Sequence, residues 1–159
     1  MTERRAGCKI RVASKQEAGD LSDLAFRSKR YWGYDREFME SCREDLTYTP
    51  GKIDSPDFDF RVYEEDADVV AFYALHYLQP GVAELEAFFV DPPRIGSGIG
   101  RLLAEHAKKT ATDRAVKRII IQSDPYAQAF YLSLGARAIG SRESACIPGR
   151  YLPLFEFSL

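Results

Sequence analysis

The sequence predicts a mixed α/β domain, in which one mixed sheet carries helices on both faces. Three observations support this prediction. Stretches of alternating apolar and polar residues lie between positions 58 and 90, apolar residues recur at helical spacing before and after them, and a glycine-rich turn separates a strand from a helix. The 159 residues suit a single domain, spanning 1–159, with one hydrophobic core.

The first elements are predicted from short-range signals. Residues 10–13 form a strand candidate, and Ser14 with Glu17 has the spacing of a capping box. Apolar residues at helical spacing follow, and Trp32-Gly33 marks the end of that helix. The predicted order therefore begins with a strand and a helix.

A second helix is predicted over residues 36–46, with Asp35 as its N-cap. Three strands follow, around residues 58–62, 69–78 and 83–90, and turn residues separate them. Two prolines end the third strand because they cannot donate ladder hydrogen bonds.

A helix after the glycine-rich turn, one strand and helix, and two final strands complete the prediction. Residues 116–122 form a short apolar strand, which we expect at the centre of the sheet. Asp124 is placed to cap the next helix, and Gly135 to end it. Strands over residues 136–139 and 150–157 close the order β, α, α, β, β, β, α, β, α, β, β.

Composition excludes several classes of protein. The chain is 45% hydrophobic and 29% charged, with a net charge of -2, so it lacks the basic excess of a nucleic-acid binder. No apolar run reaches the length of a membrane span or a signal peptide. The two histidines stand apart, without ligand-spaced companions, so no metal site is predicted.

The three cysteines are Cys8, Cys42 and Cys146, which are widely spaced and odd in number. A disulfide framework is therefore not expected. A reducing compartment is expected instead, and with it a cytoplasmic location. Pro153 suggests that the last strand lies at a sheet edge, where it could pair across a homodimer.

The turn Gly96-Ser97-Gly98-Ile99-Gly100 is the strongest candidate site. Glycines let a backbone approach a ligand closely, and the amides of the following helix favour an anion such as a pyrophosphate. Arg94 and Arg101 could add charge. The spacing fits neither a dinucleotide fingerprint nor a Walker A loop, and by itself it leaves a plain strand-to-helix turn equally open.

Two stretches together resemble a known family. Val90 to Leu103, reading VDPPRIGSGIGRLL, resembles motif A of the GNAT acetyltransferases, and Asp124 to Ala136, reading DPYAQAFYLSLGA, resembles their motif B. The resemblance implies a GNAT-type, mostly antiparallel sheet of six to seven strands with about four helices on its two faces. It also implies acetyl-CoA as cofactor and an amine of a small molecule or peptide as acceptor, with no nucleic-acid or membrane partner.

The resemblance further implies which residues act. The cofactor would contact Phe88, Phe89, Val90, Ile95, Gly96, Ser97, Gly98, Ile99, Gly100, Arg101, Asp124, Ala127 and Tyr131. Ile95 stands where the family usually has Arg or Gln, and Asp124 stands where it often has Asn. A non-catalytic module that binds acyl-CoA is therefore the alternative to an N-acetyltransferase that works through a direct ternary complex.

Three residues are candidates for the chemistry. Tyr131 matches the family tyrosine near the cofactor sulfur, which can protonate the leaving thiolate. Glu84 matches the glutamate base of one branch of the family, and alternation puts Glu86 on the same face of the strand. Exposure of both glutamates to solvent remains equally open, as does the question whether the aromatic segment 29–34 walls the acceptor pocket or the core.

Overall fold

A computed structural model describes residues 7–159 of the chain. The first six residues, which belong to the predicted domain and its charged N-terminal segment, lie outside the described residues. The strands are β1 Cys8–Val12, β2 Phe58–Glu65, β3 Asp68–Gln79, β4 Val82–Val90, β5 Arg118–Gln122, β6 Arg137–Glu143 and β7 Tyr151–Ser158. The helices are α1 Ala18–Arg30, α2 Arg36–Ser41, α3 Pro50–Asp54, α4 Ile99–Asp113 and α5 Gln128–Ser133.

The seven strands form one sheet in the order β1-β2-β3-β4-β5-β7-β6. Every neighbouring pair is antiparallel except β4 and β5, which are parallel. One core cluster packs α4 and α5 against a face of this sheet, and a second packs α1, α2 and α3 against the other. The predicted fold class is therefore confirmed. Among residues 7–159, no helix is long and apolar enough to cross a membrane.

Local capping determines where the first helices begin. Ser14 and Glu17 form the predicted capping box ahead of α1, and the Asp35 side chain accepts from the Phe38 amide at the start of α2. The α2 helix ends at Ser41, earlier than predicted. The short α3 helix was not predicted, because five residues that include Gly51 carry no apolar period.

The β7 strand is not at the sheet edge, so the prediction from Pro153 was wrong. It lies between β5 and β6 and pairs with both. The Pro153 carbonyl accepts from the Ser123 amide beyond the end of the β5 pairing. Since the nitrogen and oxygen of one residue point to the same side of a strand, the missing N–H faces a place where β5 has already ended. The argument for a dimer built on this strand therefore loses its basis.

The expectation of no disulfide was also wrong. Cys42, which caps the end of α2, is bonded to Cys146 in the loop between β6 and β7, with 5.1 Å between the Cα atoms. The two lie 104 residues apart in the chain, so spacing along the sequence carried no sign of their proximity. One support for a reducing location is thereby removed. Cys8 is the free cysteine within the described part of the chain.

This crosslink predicts that stability depends on redox conditions. A dithiol reductant should lower the free energy of unfolding by about 2–4 kcal/mol, because reduction releases a long loop in the unfolded chain. Denaturant unfolding with and without reductant measures this change. A Cys42→Ser variant should no longer respond, and a Cys8→Ser variant should respond like the parent. Titration of three free thiols in the unreduced, denatured protein would contradict the pairing.

Candidate active site

A gap between β4 and β5 forms the centre of the site. The two parallel strands pair over only three positions, from Val82 opposite Arg118 to Glu84 opposite Ile120. Beyond Glu84 they no longer pair, and a cavity of about 480 Å³ is lined by residues of both strands. Within residues 7–159 no strand covers this side of β4, so its backbone groups there can pair with a bound ligand.

A bulge in β4 coincides with the opening of the gap. The register against β3 shifts between Leu85 and Ala87, which leaves Glu86 without a partner position. The bulge also changes which face each side chain meets. Leu85 and Phe88 pack into the core cluster beside α4, whereas Ala87 and Phe89 pack into the cluster beside α1. A β-bulge re-aims side chains in this way next to many active sites.

The glycine turn leads directly into α4. Gly96 and Gly98 have φ angles of +84° and +90°, and Gly98 is the N-cap of the helix. A side chain would be strained at either position, so glycine is required there by the backbone. Gly100 has a different reason, since a Cβ at that position would stand 3.1 Å from the Phe130 ring. Gly98, Gly100 and Arg101 at the start of α4 line the cavity, where the N-terminus of a helix favours an anion.

The two arginines of this region differ in availability. Arg94 lines the cavity but is paired with Glu65 at 2.9 Å. Arg101 also lines the cavity and is exposed, and no ion-pair partner for it occurs within residues 7–159. Arg101 is therefore the more available cation for a phosphate group.

Tyr131 lies on α5 and lines the cavity, although only 6% of its surface is exposed. Its ring packs edge-on against Phe88, Phe130 and Phe157. Burial raises the pKa of Tyr131 above its ordinary value of 10, and the negative charge of Asp124 adds to this effect. The hydroxyl therefore stays protonated at neutral pH, in the form that can donate a hydrogen bond or a proton.

The two glutamates of β4 have different surroundings. Glu84 is bound by Arg142 at 2.6 Å, at a position where β4 and β5 still pair. Glu86 is bound by Lys52 at 2.7 Å, lies at the bulge and lines the cavity. Of the two glutamates, Glu86 is therefore the one that borders the space that a substrate would occupy.

The wall opposite the glycine turn combines aromatic rings with charges. Trp32 stacks on Tyr126 with 5.4 Å between ring centroids, and both line the cavity. Asp124 caps the following turn through the Tyr126 amide, at 3.0 Å. Its other oxygen accepts from Lys29 and from the Tyr34 hydroxyl. The segment 29–34 thus supplies Lys29 and Trp32 to the cavity wall, while Tyr34 stacks on Phe38.

The cavity brings together most of the predicted site residues. Those that line it are Glu86, Phe88, Phe89, Val90, Ile95, Gly96, Gly98, Gly100, Arg101, Asp124, Ala127 and Tyr131. Glu84, Ser97 and Ile99 do not line it within the described part of the chain, and the Ile99 side chain belongs to the core. Sequence reasoning missed several lining residues, among them Phe130, Gln122 and Leu152. Phe130 stands within the motif B stretch, so its position beside Tyr131 was the one available signal.

Solved structures share this fold. The chain is similar to the PaiA N-acetyltransferase of Thermoplasma acidophilum, crystallised with coenzyme A, at a TM-score of 0.78 and 18% identity, over 96% of this chain and 99% of that one. It is also similar to the ribosomal-protein-S18-alanine N-acetyltransferase of Escherichia coli, at a TM-score of 0.70 and 17% identity, over 95% and 93% of the two chains. At these identities the likeness establishes the fold.

A family model connects the fold to a family. The model of the acetyltransferase (GNAT) family matches residues 22–136, which include β4, the glycine turn, α4, β5 and α5. The match contains both stretches that resembled the family's motifs and nearly all the residues that line the cavity. The chain belongs to the acetyltransferase (GNAT) family and is an acyltransferase that uses acetyl-CoA.

Proposed function

We propose that this protein transfers the acetyl group of acetyl-CoA to a primary amine of a small molecule or peptide, by direct attack within a ternary complex. One observation carries the proposal. A single cavity is bordered by the glycine turn, the unpaired backbone of β4, the buried Tyr131 and the carboxylate of Glu86. A similar fold has been crystallised with coenzyme A.

The acetyl-CoA donor would bind along β4 and the glycine turn. The pyrophosphate of acetyl-CoA would bind the amides around Gly98 and the guanidinium of Arg101. The pantetheine arm would lie in the gap beside β4 and pair with the backbone of residues 88–90, as an added strand does at a sheet edge. The thioester would then reach the region between β4 and Tyr131.

The transfer itself needs one hydrogen-bond donor that stabilises the oxyanion and one general acid. The amine nitrogen attacks the thioester carbonyl, a C–N bond forms, and a backbone amide of β4 stabilises the negative oxygen. The C–S bond then breaks, and the electron pair leaves with the sulfur. Tyr131 donates a proton to this thiolate, for which its buried and protonated hydroxyl is suited, and the nitrogen, positively charged after its attack, loses the proton that restores the tyrosine hydroxyl.

The amine must lose its own proton before it attacks. Glu86 borders the cavity beside the gap, so we assign it the role of base, acting through a water molecule. Its ion pair with Lys52 orients the carboxylate. Glu84 is paired with Arg142 and does not line the cavity, so on this assignment its role is structural.

Acetyl-CoA should stabilise the protein through the glycine turn. At 100 times its dissociation constant, it should add about 2.7 kcal/mol to the free energy of unfolding. An Arg101→Ala variant should bind acetyl-CoA at least about tenfold more weakly, because a charge-assisted hydrogen bond is lost. Thermal-shift titration measures both effects. Lys109→Ala, which changes an exposed cation of the same helix, is the control. Equal affinities in the two variants would remove Arg101 from the donor site.

Tyr131→Phe should lower kcat by about 100-fold, with the KM for acetyl-CoA changed only a few-fold, because loss of a general acid affects the chemical step. Steady-state release of free thiol measures both parameters. Tyr151→Phe is the matched control, since Tyr151 is 64% exposed and lies at the start of β7. Undiminished kcat in Tyr131→Phe would refute the assignment of the acid.

Glu86→Gln should lower kcat/KM at pH 7 by about 100-fold, and the loss should shrink as pH rises towards the amine's own pKa of ~10.4. At high pH the free amine is present without a base. The profile of rate against pH measures this recovery. Glu84→Gln should change kcat/KM much less. The reverse order of effects would transfer the role of base to Glu84.

A further inference from the structure

Four polar side chains form a connected group at the aromatic wall of the cavity: Lys29, Tyr34, Asp124 and Arg150, here called the basic cluster. Lys29 Nζ lies 3.3 Å from Asp124 Oδ2, and the Tyr34 hydroxyl donates to the same oxygen at 2.8 Å. Arg150 Nη2 donates to the Tyr34 hydroxyl, also at 2.8 Å. The group therefore links α1, the loop after it, the start of α5 and the start of β7.

The basic cluster carries two positive charges and one negative charge. Asp124 is its only carboxylate, and it accepts hydrogen bonds from both Lys29 and Tyr34. Arg150 Nη1 is buried, and it has no hydrogen-bond partner within the described residues. Asp45 attracts Lys29 only through space and is exposed to solvent. One positive charge is thus left without a counter-charge, and such an excess is costly away from water.

The surroundings of the basic cluster leave its charges poorly solvated, and this burial lowers the pKa of Lys29. The side chains of Lys29 and Asp124 are only 15% and 17% exposed. The rings of Tyr34 and Phe38 lie beside both cations, with Lys29 Nζ 5.2 Å from the Tyr34 centroid and the Arg150 guanidinium 4.8 Å from that of Phe38. Electrostatic interactions are stronger in such a poorly solvated site than at the surface.

The other ion pairs of this region are balanced. Glu86 is matched by Lys52, and Glu84 by Arg142, each with one charge of either sign. The unbalanced positive charges that border the cavity are therefore that of Arg101, which is assigned to the phosphates, and that of the basic cluster. Lys29 and Asp124 line the cavity directly, next to Trp32 and Tyr126, so a bound molecule can reach this charge.

We propose that the basic cluster receives a carboxylate of the acceptor, so that the substrate is an amine which also carries a carboxylate. Lys29 makes the contact, because it lines the cavity and has donors beyond the one used on Asp124. Arg150 acts through Tyr34 as a positioning residue and supplies the second positive charge. The carboxylate would make the cluster neutral. This inference rests on the proposed function and names the class of its acceptor.

A rival role for the same charge is stabilisation of the departing thiolate. That role would help every amine equally, since each transfer releases the same thiolate. A carboxylate subsite helps only the amines that carry a carboxylate. The two roles are therefore separated by comparing pairs of amines that differ in this group alone.

The test uses matched pairs of amines: arginine with agmatine, phenylalanine with phenethylamine, and tyrosine with tyramine. In the parent protein, kcat/KM calculated per concentration of free amine should be at least about tenfold higher for the preferred amino acid than for its decarboxylated partner, the effect of a hydrogen bond between charged groups. The protein saturated with coenzyme A should also gain thermal stability from that amino acid and not from its partner.

Two variants assign the preference to the basic cluster. Lys29→Met and Arg150→Met should each reduce the ratio of the two kcat/KM values at least about fivefold towards unity. The ratio does not depend on the folded fraction, because both amines are measured on one preparation. Lys109→Met and Arg43→Met, which replace exposed cations, should keep the parental ratio. Comparing the ratio in each variant with the ratio in the parent cancels the difference in amine pKa between the partners, because both proteins are measured with the same two amines.

The outcomes separate the two proposals. Acetylation of both partners at equal kcat/KM would overturn the carboxylate subsite and leave the proposed function standing. Stabilisation by the amino acid without acetylation would support the subsite and contradict the proposed function. An equal fall in kcat for both partners in the two variants would assign the charge to the thiolate and overturn the inference. Absence of any binding or turnover across the pairs would overturn it as well.

Discussion

The site depends on one constraint, which is the separation of β4 from β5 beyond Glu84. A sheet that lost pairing in its middle would ordinarily leave both strands unsupported. Here β4 stays paired with β3 as far as Val90, and β5 stays paired with β7 as far as Gln122. Each strand is thus held from its outer side, and the gap can persist without a ligand. The β4 bulge falls where the gap opens, so one backbone irregularity determines both the shape of the cavity and the position of Glu86.

The cavity has two ends with different electrostatic character. The glycine turn and Arg101 border the part proposed to hold the phosphates, whereas Lys29, Asp124 and the rings of Trp32 and Tyr126 border another part. Tyr131 lies on α5 and lines the same cavity. Asp124, in the connection between β5 and α5, is bound by Lys29 of α1. The donor and acceptor halves of the site are therefore held by shared elements.

Signals within a few residues of each other predicted much of this structure. The capping box at Ser14, the Asp35 cap and the glycine turn all rest on hydrogen bonds or φ angles that neighbouring residues determine. Two motif-like stretches in the right order then indicated the family, and with it acetyl-CoA and Tyr131. The prediction failed where a local signal had a second explanation. Pro153 suggested an edge, yet a strand inside the sheet can hold a proline where its neighbour has ended.

The sequence by itself determined the elements, the glycine turn and the family, because these follow from interactions that are local along the chain. Only the tertiary structure decided which glutamate borders the cavity, since a bulge changes the alternation on which the sequence argument relied. It alone paired Cys42 with Cys146, brought Lys29 to Asp124 and brought Arg150 to Tyr34. Such partners come from distant segments, and their meeting depends on the order and register of the strands, which no local pattern encodes.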